Sequence, residues 1–232
     1  MLDIIRSDSR GHADHGWLQA RHTFSFAGYH NPERMQFSSL RVINEDVVQP
    51  GKGFGTHPHN DMEIVTYVIS GELEHRDSMG NGSIIRPGDM QRMTAGTGVL
   101  HSEFNPSIED PLHLLQIWIL PEKKGLEPGY EQTFVGREEK LNRWKLVGSR
   151  DGRDGSLTIH QDVDLLAGVV EAGTTLEHAL DTGRKGFLQV VGGSIDCNGE
   201  TLEAGDAVAV TDIARISVTA KSEAELLLFD LA

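Results

Sequence analysis

The sequence predicts an all-β protein made of two similar barrel-type domains, and three observations support this prediction. Short runs of β-forming residues recur at regular spacing between glycine turns, as is typical of a sandwich or barrel. The chain contains 26 glycines among 232 residues, which suits short strands joined by turns better than helices. One pattern of strands and turns also occurs twice along the chain, which indicates two copies of one structural unit.

Composition and charge narrow the class of protein. At 38% hydrophobic and 24% charged residues, the chain has an ordinary soluble composition. Its net charge of −14 is unsuited to direct nucleic-acid binding or to a polybasic membrane contact. Cys197 is the single cysteine, so a disulfide framework is excluded and a reducing compartment is expected. The charged N-terminus lacks the apolar core of a signal peptide, and no stretch reaches the ~20 apolar residues of a membrane span. We therefore expect a cytoplasmic protein without membrane or nucleic-acid partners.

The first half reads as short strands after an irregular start. Residues 1–36, rich in His, Gly and Asn, are predicted to be irregular. The chain then changes to runs of β-forming residues separated by turn clusters at 79–82, 87–89 and 95–98. The predicted strands of this half are 37–48, 62–75 with a break at Ser70-Gly71, 83–86, 90–94 and 113–120.

A polar segment separates the two halves. Residues 121–153 are broken by prolines and glycines, with a short helix predicted over 138–144. We place the domain connection here, which gives an N-terminal domain of residues 1–135 and a C-terminal domain of residues 136–232. The predicted strands of the second half are 157–162, 165–171, 187–191, 207–210, 216–219 and 225–231.

The internal repeat supports this division. Residues 67–71 (Tyr-Val-Ile-Ser-Gly) resemble 189–193 (Gln-Val-Val-Gly-Gly), and 86–89 (Arg-Pro-Gly-Asp) resemble 203–206 (Glu-Ala-Gly-Asp). Gly51 precedes Gly71 by 20 positions, and Gly173 precedes Gly193 by the same distance. One supersecondary unit used twice predicts two similar β-domains.

Two pairs of potential metal ligands lie near the two ends of the β-rich segment 51–105, in the first copy of the repeat. His57 and His59 form one pair, and His101 and Glu103 form the other. Residues i and i+2 of a strand face the same side, so each pair could converge on one ion, and neighbouring strands would bring all four together. Three imidazoles and one carboxylate suit divalent Fe, Cu, Ni, Mn or Zn and leave positions open for water, substrate or dioxygen.

The repeat indicates that the site is single. Offsets of 122 residues for the first ligand pair and 117 residues for the second align the two copies at their glycine turns. The aligned positions of the second copy are Ala179, Asp181, Val218 and Ala220. The second copy has therefore lost the ligand set, apart from a carboxylate at Asp181.

Other polar residues compete for a role at this site. Glu63 is an even number of residues from His57 and His59, so an unbroken strand would direct all three side chains to the same face. Glu63 could therefore be a fifth ligand, although a hydrogen-bonding or salt-bridge role is favoured. His12 and His15 have a ligand-like spacing, but such histidines more often hydrogen-bond a folded loop. The remaining candidates, for which structural roles are favoured, are His75, His113, His160 and His178.

Gly51 to Asn105 resembles the cupin superfamily. The first motif of that family, Gly-x5-His-x-His-x3–4-Glu-x6-Gly, is similar to Gly51–Gly71, with seven residues instead of six after Glu63. The second motif ends in Gly-x2-His-x3-Asn and matches Gly98–Asn105, although Gly96 replaces its proline. The resemblance implies cupin barrels, which are double-stranded β-helices of the jelly-roll type.

The pirin family of two-barrel cupins is a closer resemblance. Its N-terminal signature resembles residues 11–18 and 22–26, and its two metal-binding stretches resemble residues 54–59 and 97–103. This resemblance implies one metal, commonly iron, with Cu, Ni, Mn, Zn or Co as alternatives. By matching positions the implied ligands are His57, His59, His101 and Glu103, whereas Glu63 is not a ligand in this family.

The resemblance also implies an activity. Some pirin-like proteins resemble quercetin 2,3-dioxygenases, which open a flavonol ring with dioxygen and release carbon monoxide. The expectation is a metal-dependent dioxygenase with a small aromatic substrate, in which Glu103 is a labile ligand or the acceptor of the flavonol proton. An apolar pocket is expected, with candidate lining residues Phe37, Phe54, Met93 and Trp118. The alternative is a non-enzymatic metal-binding regulatory or small-ligand protein, whose surface would contact a protein partner. Animal relatives are described as nuclear transcription co-regulators, but that role does not carry over to this acidic chain.

Overall fold

A computed structural model describes all residues, 1–232, and contains 22 strands and one short α-helix. The all-β prediction is confirmed. Each half contains two separate hydrogen-bonded sheets, one large and one four-stranded, so each barrel is a sandwich of two sheets rather than a continuously closed cylinder. No helix in this structure has both the length and the apolar character needed to cross a lipid bilayer.

The chain forms two compact units, each built from more than one segment. The first unit comprises Gly11–Phe134 and Leu157–Gln161. The second unit comprises Met1–Arg10, Val135–Ser156 and Asp162–Ala232. The predicted division after residue 135 is linear, whereas in space strand β1 (Leu2–Ile5) of the N-terminal segment pairs with strand β20 (Ala207–Val210) of the second unit.

In the first unit, the large sheet has the strand order β12-β9-β6-β11-β4-β3-β2 and the small sheet has the order β5-β10-β7-β8. Apolar residues of the large sheet, such as Val68 and Leu114, pack with Leu73 and Ile85 of the small sheet. Burial of each such side chain contributes about 1.5–3 kcal/mol. The strands are β2 (Gly11–Asp14), β3 (Leu18–His22), β4 (Leu40–Val48), β5 (Gly53–His59), β6 (Glu63–Ser70), β7 (Leu73–Asp77), β8 (Gly82–Ile85), β9 (Asp89–Thr94), β10 (Val99–Phe104), β11 (Leu112–Ile119), β12 (Gly129–Phe134) and the short β14 (Leu157–Thr158).

The second unit repeats this plan. Its large sheet contains the order β1-β20-β17-β22-β15-β13, and its small sheet has the order β16-β21-β18-β19. Leu188 and Leu228 of the large sheet pack with Ile195 and Val218 of the small sheet. The elements are β1 (Leu2–Ile5), α1 (Arg137–Lys140), β13 (Lys145–Ser149), β15 (Val163–Val170), β16 (Thr175–Ala179), β17 (Lys185–Gly192), β18 (Ser194–Cys197), β19 (Glu200–Glu203), β20 (Ala207–Val210), β21 (Arg215–Ala220) and β22 (Ala224–Leu231).

The repeated glycine turn is required by the backbone in both units. Gly71 has φ +80°, and a Cβ there would lie 2.7 Å from the Pro111 carbonyl oxygen. Gly193 has φ +81°, and a Cβ would lie 2.1 Å from the Glu223 carbonyl oxygen. Only glycine accommodates both the left-handed conformation and the close approach of a neighbouring backbone segment of the same chain.

Several elements differ from the prediction. Residues 1–36 are not irregular, because β1, β2 and β3 lie there, and the polar connection contains β12 and β13. These strands are short or polar, so they lack the run of apolar residues on which the prediction depended. The helix spans Arg137–Lys140 rather than 138–144, because Leu141 is extended and Asn142 has φ +53°.

Candidate metal centre

Strands β5 and β10 are antiparallel neighbours, as is needed for the two pairs of candidate ligands to meet. His57 lies opposite His101, and His59 lies opposite Val99. Because alternate residues of a strand share a face, His57, His59, His101 and Glu103 are directed to one side of the small sheet. Glycine-containing segments, which disfavour a helix, lead into both strands.

A β-bulge adjusts the strand that carries the first pair. The pairing shifts between His101 and Glu103, so that Glu103 lies opposite Phe54 instead of Gly55. This extra residue on β5 bends the strand at the histidines. Within the bulge, Nδ1–H of His57 donates to the Gly55 carbonyl oxygen, with a separation of 2.8 Å. The lone pair of His57 Nε2 is therefore directed away from the backbone.

The three imidazoles converge. One ring nitrogen of His57, one of His59 and one of His101 lie within 4.8 Å of one another. The Nε2 atoms of His57 and His101 are 3.0 Å apart. Two donors at ~2.1 Å from one ion and at right angles to each other are also ~3 Å apart, so the spacing fits a shared divalent ion.

Burial favours the ligand form of these histidines. Burial, followed by the charges of the neighbouring His57 and His59, lowers the pKa of His101 to about 3. Burial followed by the charge of His57 lowers the pKa of His59 to about 4. Both imidazoles are therefore neutral at pH 7, as metal coordination requires. His101 Nδ1 is buried and has no hydrogen-bond partner.

Glu103 lies beside this cluster in a second group of potential ligands. One oxygen of Glu103 and one ring nitrogen each of His75 and His101 lie within 4.8 Å of one another, and all three residues are buried. Burial raises the pKa of Glu103 to about 7, although the hydrogen bond from Gln116 opposes this shift. Gln116 Nε2 donates to both carboxylate oxygens at 3.2 Å, and its own Oε1 accepts from Trp118 Nε1.

His75 is a residue whose place the sequence did not indicate. It lies on β7 directly opposite Glu103, is fully buried, and its ring centroid is 5.5 Å from that of His101. Its Nε2 is 3.2 Å from an oxygen of Asp77. The two-residue spacing of His75 and Asp77 indicates that both side chains share one face of a strand. That spacing points to the site only if β7 is known to be the other neighbour of β10.

A cavity of about 300 Å³, the inner cavity, opens onto the cluster. Phe54 and Trp118 line it, as predicted, whereas Phe37 and Met93 do not; Met93 is fully buried in the core beside Ile64. Polar lining residues missed by the sequence include Asp46, whose pKa is raised to about 7 by burial and then by Glu103 and Glu45. The lining comprises Phe26, Asn44, Asp46, Phe54, His57, His59, Glu103, Gln116 and Trp118.

Glu63 belongs to neither group of potential ligands. Its Oε2 accepts from Thr94 Oγ1 at 3.1 Å and from the His160 backbone N–H at 3.3 Å, and it lies 4.0 Å from Arg92 Nε. The favoured hydrogen-bonding and salt-bridge role of Glu63 is therefore what the structure contains. The buried carboxylate is balanced by a buried guanidinium, which reduces its desolvation cost.

The other histidines lie outside both groups. His113 pairs with Glu45 at 2.9 Å, and His12 and His15 are exposed residues of the N-terminal segment. In the second unit, His178 Nε2 is 2.7 Å from Asp230 Oδ2. The structural roles predicted for His113 and His178 agree with these contacts.

The second barrel shows what replaces the cluster. In its small sheet Leu176 lies opposite Val218, and His178 lies opposite Ile216. These pairs correspond to His57–His101 and His59–Val99, so the alignment with Ala179 and Asp181 was wrong by three residues. The reason is a longer turn: six residues separate His178 from β17, whereas three separate His59 from β6. The counterparts of the four candidate ligands are Leu176, His178, Val218 and Ala220.

Comparison with known proteins agrees with this architecture. The family profile described as pirin matches residues 5–119, and that described as the quercetinase C-terminal cupin domain matches residues 146–231. A protein of Escherichia coli strain K12 named quercetin 2,3-dioxygenase is 48% identical over 231 residues, covering 100% of this chain and 99% of the relative. A putative quercetin 2,3-dioxygenase of Pseudomonas aeruginosa is 43% identical, covering 100% of both chains.

A solved structure is similarly close. The bacterial pirin YhhW of Escherichia coli, in complex with nickel(II), has a TM-score of 0.95 and 48% identity, covering 100% of this chain and 99% of that one. The full-length relatives confirm the prediction of an enzyme of the oxidoreductase class. Two matched domains and full-length similarity together show that the chain belongs to the pirin family.

Proposed function

We propose that this protein is a metal-dependent dioxygenase that cleaves quercetin-like flavonols with dioxygen. The observation that carries the proposal is the pair of ligand groups that share His101, one with three imidazoles and one with the buried Glu103, beside an aromatic-lined cavity. The names of the full-length relatives, quercetin 2,3-dioxygenase, agree with it. His57, His59, His101 and Glu103 are the proposed ligands.

A divalent transition metal held by these residues would supply a Lewis acid for the hydroxyl and carbonyl oxygens of the flavonol and open positions for dioxygen. Iron is the metal that the family resemblance favours, whereas the nickel complex of YhhW supports nickel. The neutral imidazoles suit either ion, because imidazole nitrogen is a suitable ligand for both Fe²⁺ and Ni²⁺.

Glu103 is the proposed proton acceptor. Its carboxylate lines the inner cavity, where it would meet the flavonol hydroxyl and could accept the proton of that group. Gln116 donates to both of its oxygens and so fixes the carboxylate against the cavity. The rings of Phe26, Phe54 and Trp118 contact the aromatic substrate and exclude water from the reacting carbon atoms.

The test combines metal loading with oxygen uptake. Protein loaded separately with Fe²⁺, Ni²⁺, Mn²⁺ or Cu²⁺ is mixed with quercetin in air, and dioxygen consumption is followed with the loss of flavonol absorbance. We expect turnover in stoichiometric ratio to dioxygen, and we expect His101→Ala to lose both the metal and the turnover. His113→Ala is the matched control, since His113 lies in neither ligand group. Stoichiometric metal binding without turnover for every metal would refute the proposal and favour a binding or regulatory protein.

A further inference from the structure

A second, larger cavity lies beside the inner cavity in the first unit. This outer cavity has a volume of about 710 Å³ and is built mainly from the N-terminal segment that contains β2, β3 and the turn after them. Apart from Phe26, the residues of this segment, including the histidine-rich stretch 12–22, have no role in the metal centre described above.

Four half-buried aromatic rings line the outer cavity: Trp17, Phe26, Tyr29 and Phe54. Trp17 meets Phe54 edge to face, with centroids 5.4 Å apart. The exposed His12 and His15 add polar groups to the lining. An apolar ring wall with a few hydrogen-bonding groups is the ordinary composition of a small-molecule site.

The rings are held in place by the backbone. Phe26 and Tyr29 exchange two backbone hydrogen bonds of 3.0 and 2.9 Å across a two-residue turn, so both rings are directed to the same side. The Tyr29 ring lies directly against Gly11, where a Cβ would come within 2.3 Å of Tyr29 Cγ. Both rings are therefore fixed at the wall of the outer cavity.

The outer cavity borders the inner cavity, because two aromatic rings belong to the walls of both. Phe26 and Phe54 line both cavities. Phe26 meets Trp118 edge to face at 5.3 Å, and Trp118 meets the candidate ligand His59 at 4.9 Å. A row of aromatic rings therefore leads from the outer cavity to the candidate ligands.

We propose that the outer cavity is a second subsite, which binds the pendant hydroxylated phenyl ring of a flavonol whose chelating half occupies the inner cavity. The inference rests on the proposed function. The inner cavity, at about 300 Å³, is at the lower end of the ~300–1,000 Å³ range of ligand sites. It suits the two fused rings that carry the chelating oxygens, while the third ring needs the adjoining space. His12 and His15 would hydrogen-bond the phenyl hydroxyl groups.

The test compares two probes that differ in that ring. Quercetin carries the phenyl ring, whereas 3-hydroxychromone has the same chelating oxygens without it. Dissociation constants are measured by equilibrium dialysis under argon with the Zn²⁺-loaded full chain, so that no turnover is involved. The variants are Tyr29→Leu and Trp17→Leu, and Phe134→Leu is the control because this exposed aromatic lines neither cavity. Bound zinc and thermal unfolding confirm that each variant is folded.

We expect either variant to reduce the preference for quercetin over 3-hydroxychromone by about 2- to 10-fold, the loss expected from one aromatic contact of about 0.5–1.5 kcal/mol. The control should leave the preference unchanged. An unchanged preference in both variants, equal weakening of both probes, or absence of quercetin binding would overturn the subsite. Oxygen uptake is measured separately. If the protein binds quercetin in a ring-dependent way but does not turn it over, the dioxygenase is refuted and the second subsite is not. If the protein turns quercetin over but its binding does not depend on the phenyl ring, the second subsite alone is refuted.

Discussion

Burial acts in opposite directions on two neighbours along β10. It raises the pKa of Glu103 to about 7 and lowers that of His101 to about 3, since each shift favours the uncharged form. Without a metal, Glu103 is half protonated near pH 7, whereas His101 is neutral. A bound cation would reverse the penalty on the carboxylate, so Glu103 is the group whose protonation responds most to metal binding.

This leads to a prediction for Glu103→Gln. Below pH 7 the carboxyl of the metal-free protein is protonated, and metal binding must release that proton; above pH 7 it is already ionised. At pH 6 we expect the variant to release about one proton fewer than the parent protein. The measurement is calorimetric titration with Ni²⁺ in buffers of different ionisation enthalpy.

The same variant should lose about 10²- to 10⁴-fold in the rate of flavonol cleavage, since a positioned proton acceptor contributes that much. Glu131→Gln serves as the control, because Glu131 belongs to neither ligand group.

In the calorimetric titration, equal proton release by the parent protein and by Glu103→Gln would show that Glu103 is ionised in the metal-free protein.

At the scale of elements, the candidate centre depends on three adjacent strands of the small sheet. β5 supplies two histidines, β10 supplies His101 and Glu103, and β7 places His75 opposite Glu103. The contribution of each strand follows from two-residue alternation, but which strands are neighbours follows from pairings between residues distant in sequence.

That distinction explains what the sequence could predict. The i, i+2 spacing of both pairs and the turn at Gly71 are local, and the structure contains both features. His75, Asp46 and Gln116 were missed as neighbours of the site, because their positions depend on β7, β4 and β11 being packed around β10. The repeat was aligned incorrectly at His178 because a three-residue difference in turn length is invisible when only glycines are matched.

The glycine turns give a prediction for this scale. Gly71→Ala and Gly193→Ala should each lower the free energy of unfolding by about 1–3 kcal/mol, because a left-handed residue acquires a Cβ that collides with a carbonyl oxygen. Gly80→Ala is the matched control, since Gly80 has φ +95° but no atom within 4 Å of an added Cβ. Urea unfolding measures all three.

The control separates the two contributions. If Gly80→Ala destabilises the protein as much as the other variants, the left-handed backbone conformation alone accounts for the lower free energy of unfolding. The close approach of the neighbouring backbone segment then contributes nothing measurable.

At the scale of the whole molecule, two units of one plan differ in chemistry. Only the first contains a convergent set of three histidines, whereas the second contains the pair of His178 and Asp230. A ligand that binds only one folded unit stabilises that unit by mass action.

We therefore expect Ni²⁺ at about 100 times its dissociation constant to stabilise the first unit by about 2.7 kcal/mol and raise its unfolding temperature by roughly 5–10 °C. Scanning calorimetry with and without Ni²⁺ provides the measurement. The metal should cause no such rise in His101→Ala, and a shift of equal size in that variant would place the ion elsewhere.

The second barrel also offers a starting point for protein engineering. Its small sheet already carries His178 at the position of His59, and Leu176, Val218 and Ala220 occupy the positions of the other three candidate ligands. Three substitutions would place all four donor residues in a sheet with the same strand order: Leu176→His, Val218→His and Ala220→Glu. One chain would then carry two centres of related design, and the natural bulge of β5 would be the main geometric difference between them.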